Sequence, residues 1–208
     1  MPRQIPKAIV ALTVRSTWML TAHAQVANRG LFGLRKGLTK VEAEKFAGPL
    51  QERPVGVYIV ERVPRPDPDF ESYGLVITPQ AGLCAVLAAG KTINVDASGT
   101  QIQAAFAARK KALAQTYGEP GRVDDFIRPG SKLVKPTDWA AALAHEDRSL
   151  SAAWKLESNA AGISVLQLEA TAFSPTKAYL KLIVGFDNGD GCFSELVTMR
   201  KRLPASRP

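Results

Sequence analysis

The chain has 208 residues, 46% hydrophobic and 22% charged, with a formal net charge of +8. Such a composition supplies an ordinary globular core and excludes disordered and collagen-like chains. Arg3, Lys7 and Arg15 hold three of the positive charges within the first 24 residues, so a chain starting at Gln25 carries +5, too small an excess to mark a nucleic-acid binder.

The start of the chain has the layout of a secretory signal. MPRQIPK is basic, Ala8 to Val14 (AIVALTV) is apolar, WMLTA follows, and Ala22 and Ala24 take the small-residue positions of an A-x-A cleavage site. Arg15 interrupts the apolar region; the competing expectation is an amphipathic N-terminal helix of a cytosolic protein. Cleavage would leave a periplasmic or secreted chain. No later run reaches the roughly 18 apolar residues of a membrane span, and no cysteine follows the cleavage point to take a lipid. In an exported chain Cys84 and Cys192 read as one disulfide, and in the cytosol as two buried thiols.

The first element is a short helix in Gly37–Leu50, where Thr39 and Glu42 form a capping box and Gly48-Pro49 stops the helix. Residues 55–63, 72–79 and 82–89 read as strands. In the first, Val55, Val57 and Ile59 lie on one face and Tyr58 and Val60 on the other. Between the first two, Pro64, Pro66 and Pro68 forbid a ladder. A longer helix begins at Thr100, with Gln103 completing a second capping box. Its residues Ile102, Phe106, Leu113 and Tyr117 share one face, and Gly118 and Pro120 close it. A loop containing Asp124 and Asp125 leads to a third helix capped by Thr137. Strands follow at 149–157, 162–173 and 178–186, then a hairpin turn at Asn188-Gly189 and a last strand at 192–199. Trp139 and Trp154 read as core aromatics.

Capped helix followed by antiparallel strands thus occurs twice. The expected fold is α+β: two loosely similar helix-plus-antiparallel-sheet units forming a two-layer sandwich. The boundaries are a signal peptide at 1–24, a first unit at 25–97, a second at 98–199 and a basic tail at 200–208. Gly37, Thr39, Glu42, Ala43 and Gly48 match the spacing of a signature found in envelope domains of the SmpA/OmlA (BamE) kind, which this 14-residue segment resembles. The duplicated arrangement is similar to that of β-lactamase inhibitor protein. The resemblance implies a binding or assembly module with no catalytic residues to carry over.

Catalytic constellations are scarce. His145 has Glu146 and Asp147 beside it, but adjacent helical residues point apart. No nucleophile elbow, P-loop or H-E-x-x-H occurs, and the loop DNGDG has glycines where a calcium loop needs its third and fifth ligands. No metal or cofactor is expected. The stiff loop VPRPDPDF is the best candidate for a binding site, with Arg62, Arg65, Asp67, Asp69, Phe70 and Tyr73 as contact residues. The partner would be another protein or an envelope component. Two alternatives stay open: a hydrolase using the Asp124/Asp125 loop or His145, and a cytosolic protein binding nucleic acid through Arg109, Lys110, Lys111 and the tail (Arg200, Lys201, Arg202 and Arg207). Intact-mass measurement of untagged protein tests the leader: the mass should begin at Gln25, and a retained leader would overturn export.

Overall fold

The computed structural model describes residues 30–53, 55–157 and 161–202. The leader at 1–24 and the end of the tail, including Arg207, lie outside the described residues.

The fold is α+β. Its helices are α1 (Lys40–Ala47), α2 (Thr100–Tyr117), α3 (Trp139–Ala144) and α4 (Gly189–Lys201). Its strands are β1 (Val57–Val60), β2 (Phe70–Thr78), β3 (Gly82–Gly90), the short β4 (Ile93–Asn94), β5 (Arg122–Ile127), β6 (Arg148–Lys155), β7 (Ile163–Ser174) and β8 (Lys177–Phe186). All belong to one antiparallel sheet ordered β1-β2-β3-β8-β7-β6-β5, with β4 paired to β8. The two halves read from the sequence meet where β3 pairs with β8, with Val86 opposite Val184 and Ala88 opposite Leu182.

One side of the sheet is closed. Along β8, Ala178, Leu180, Leu182, Val184 and Phe186 are buried, whereas Tyr179, Lys181, Ile183 and Gly185 stay partly exposed. This period of two makes an antiparallel sheet with one packed and one wetter face. Helix α2 packs against β7 and β8, and α3 against β6 and β7. Ile102, Phe106 and Leu113, spaced to share one face of α2, are all buried. Each large aliphatic side chain buried here stabilises the fold by about 1.5–3 kcal/mol relative to leaving it exposed. The segment before α1 completes the core at the β2 end, where the Phe32 ring meets Tyr73 and Phe70 edge-on, at 4.9 and 5.6 Å between centroids. Trp139 and Trp154 are both buried, and the Trp154 indole donates to the Gly118 carbonyl at 2.8 Å.

The Thr39–Glu42 capping box of α1 forms as expected. Four local expectations are corrected. Thr100 does not cap α2: the N-cap is Gly99 at φ 66°, while the Thr100 amide donates to Asp96 Oδ1. Only glycine fits at 99, because a Cβ there would lie 2.1 Å from the Trp139 ring. Thr137 does not cap α3; it sits in a 3-10 turn, Pro136–Asp138, in which the Asp138 carboxylate takes the Lys135 amide. Asp124 and Asp125 lie in strand β5, not in a loop. Finally, residues 192–199 form the middle of helix α4 rather than a strand, and Asn188-Gly189 makes no hairpin. The Asn188 side chain instead donates to the carbonyls of Ala81 and Leu83, and Cys192, Leu196 and Met199 recur at helical spacing.

Helix α4 is fastened to the sheet by the Cys84–Cys192 disulfide. In the β2–β3 ladder Val76 faces Ala85 and Ile77 faces Leu83, so Cys84 is the extra residue of a bulge. Neither cysteine belongs to the main core cluster. The Glu195 carboxylate of α4 accepts the Gln80 amide at 3.3 Å, a polar contact beside the bridge. The bridge links residues 108 positions apart, so removing it frees a long loop in the unfolded chain. Cys192→Ser should lower stability by about 2–4 kcal/mol, measured by urea unfolding under non-reducing conditions. The untreated protein should show the same loss on reduction.

Candidate binding surfaces

The proline-rich loop is closed down by one cation. Arg109 projects from α2, its side chain only 14% exposed, and its guanidinium binds the carboxylates of Asp67 and Asp69 while lying 4.8 Å over the Phe70 ring. Asp67 also accepts the Asp69 amide at 3.0 Å, an Asx turn, and the Asp67 amide donates to the Tyr73 hydroxyl. Burial pushes the Tyr73 phenol above its ordinary pKa. The six residues expected to make contacts therefore separate. Phe70 and Tyr73 are core residues, Asp67 and Asp69 are engaged by Arg109, and Arg62 and Arg65 stand exposed. Arg109 is thereby removed from the basic group Arg109, Lys110 and Lys111.

The two acidic residues of β5 do not converge. Successive strand residues point to opposite faces; Asp124 pairs with Arg122 at 2.7 Å and Asp125 with Arg148 at 3.0 Å. Arg148 in turn lies over the Trp139 ring at 5.3 Å. His145 is exposed at the end of α3, and Asp147 accepts from the Ser131 hydroxyl. Among the described residues, no three His, Cys, Asp or Glu side chains are grouped to hold a metal ion, and no helix is long and apolar enough to cross a membrane.

The larger feature is the wetter side of the sheet. A row of directly opposed residues runs across it: Ile59, Gly74, Leu87, Ile183, Gln167, Ala153 and Arg122. A Cβ placed at Gly74 would touch both Leu87 and Ile59, which puts the three together on this side. Ile59 is 53% and Val165 42% exposed. The neighbouring row carries Lys181 bound to Glu169. The result is an apolar centre of small and aliphatic residues with ion pairs toward the periphery, the usual composition of a protein-contact surface.

No family model, curated protein or solved structure matches the chain.

The sheet surface escaped the sequence reading because its members come from seven strands and no short stretch collects them. The Arg109–Asp67 contact spans 42 positions and had no local signal either. Arg109→Ala should release residues 64–69 and cost about 1–3 kcal/mol, with Arg109→Lys recovering part of it, because the flat guanidinium serves two carboxylates and a ring at once. Chemical denaturation of the three proteins measures the difference.

Proposed function

We propose that the protein is an exported binding module of the bacterial cell envelope that offers the wetter side of its sheet to another protein or envelope component. The observation that carries this reading is the apolar centre of that side, where Ile59, Leu87, Ile183 and Val165 stay partly or largely exposed in an otherwise well-filled fold. Side chains on strands are held by the ladder, so a partner meets a preorganised surface and little entropy is lost on docking. Away from that apolar centre several charged groups are paired with one another, Arg109 with Asp67 and Asp69, Arg122 with Asp124, and Arg148 with Asp125.

Export is supported by the A-x-A layout of the leader and by the single disulfide, a bond suited to oxidising compartments. The Gly37–Gly48 signature and its resemblance to envelope domains agree with the same compartment. The periplasm or the medium is the location this reading gives.

Site-specific photocrosslinking in the producing bacterium tests the proposal. A crosslinker at Ile59 or Val165 should trap the same envelope component, identified by mass spectrometry, whereas one at Lys111 on α2 should not. Crosslinks that are equal at all three positions, or protein recovered only from the cytoplasm, would overturn it.

A further inference from the structure

A cavity opens on the helix-bearing side of the sheet, away from the wetter surface. In the β5–β6 ladder Asp125 faces Leu150 and Ile127 faces Arg148. Opposed residues share a side of the sheet, and Leu150 is buried, so Asp125, Ile127 and Arg148 all project toward the helices. Together with the start of α2 and the turn before α3 they bound a space of about 500 Å³, the size of a small-molecule site.

The charge of this lining is not balanced. Its ionisable residues are Lys135 and Arg148 against Asp125. Arg148 Nη1 donates to Asp125 Oδ1 at 3.0 Å, so those two offset each other and Lys135 is left over. Lys135 makes no ion pair among the described residues. Two nearby acids do not cancel it from within the cavity. Asp138 accepts the Lys135 amide, Asp96 accepts the Thr100 amide, and neither lines the space. The excess is one positive charge.

The walls are already set. The Arg148 side chain is 15% exposed and its guanidinium lies 5.3 Å over the Trp139 ring, with one edge on Asp125. Its Nη2 has no acceptor among the described residues and, unlike Nε, is not closed off from solvent. The turn that carries Leu133 is held by Ser131, whose hydroxyl accepts the Leu133 amide and donates to Asp147. Ile127, Leu133, Val134 and Trp139 add apolar wall, with Val134 standing 61% exposed. Donors ordered in advance lose little entropy when they take a ligand oxygen.

We propose that this cavity binds a small monocarboxylate with an apolar body, its carboxylate taken by Lys135 and Arg148 Nη2 and its body laid against Leu133, Val134 and Trp139. One negative charge matches the excess. A phosphate monoester, with about −1.5 to −2 at neutral pH, overshoots it, and a cation adds to it. The site is separate from Ile59 and Val165 and goes beyond the function proposed above.

The test titrates phenylbutyrate into the isotope-labelled full chain and follows amide and indole signals by NMR. Saturable shifts should gather at Val134, Lys135 and the Trp139 indole, with a Kd of about 1 mM or tighter. Phenylbutylamine, which keeps the body and reverses the charge, should bind at least about tenfold more weakly, and phenylbutyl phosphate should bind no more tightly than the carboxylate. Arg148→Ala also uncovers Trp139, so the variants are made at exposed positions. Lys135→Glu and Val134→Asp should each weaken phenylbutyrate by about tenfold or more while leaving the remaining spectrum in place. Absence of saturable shifts at about 10 mM probe, shifts gathered elsewhere on the molecule, equal binding of the amine, or affinity unchanged by Lys135→Glu would each overturn the proposal. Tighter binding of the phosphate would give the cavity to a different ligand class and overturn it too. None of these failures touches the Ile59 and Val165 crosslinks, which report on the other side of the sheet.

Discussion

The pairing of β3 with β8 is the constraint on which the rest of the molecule depends. It brings together strands separated by about half the chain, and the strands on either side take their places in order outward from it. Val86 against Val184 and Ala88 against Leu182 set the register. A slip of one residue would turn each strand's buried set toward water, so the register is strongly determined wherever one face is packed. Helix α2 covers β7 and β8 on the packed side, while α4 closes the β2–β3 end. The other surfaces are what this arrangement leaves over.

Much of the fold was legible in the sequence. The capping box at Thr39 and Glu42, the buried face of α2 and the strands β2, β3, β6, β7 and β8 all follow from local periodicity, because each carries its own apolar pattern. The misreadings share a cause. Strand β5 reads as polar because it lies at the edge, with charged residues on both faces and little to bury. Residues 192–199 have strand-like content and follow a hairpin dipeptide, yet Asn188 is used up by the carbonyls of Ala81 and Leu83, more than a hundred positions earlier. Tertiary contacts decided both elements. At the candidate sites the same limit applies: Phe70 and Tyr73 have the composition of contact residues, but their rings pack against Phe32 in the core.

Charge is used in two distinct ways across this structure. Between the proline-rich loop and α2 it fastens, through the half-buried contact of Arg109 with Asp67. On β5 it neutralises, each acid answered by an arginine of its own surroundings. The first use stiffens a connection that would otherwise be free to move, and the second leaves a strand without the repulsion that commonly protects an edge. A net excess of positive charge says little about either arrangement, since both depend on which side chains meet.

The disulfide also bears on the order in which the molecule is completed. Cys84 lies in the first half of the sheet and Cys192 just beyond β8, and the sequence holds no third cysteine. In a chain delivered N-terminus first, Cys84 emerges with no intramolecular partner until all eight strands have passed. No incorrect bridge within the chain is therefore open to it. The correct bridge closes only after β8 has emerged, so a chain halted before that point carries one lone thiol by which it can be told from one whose eight strands are all present.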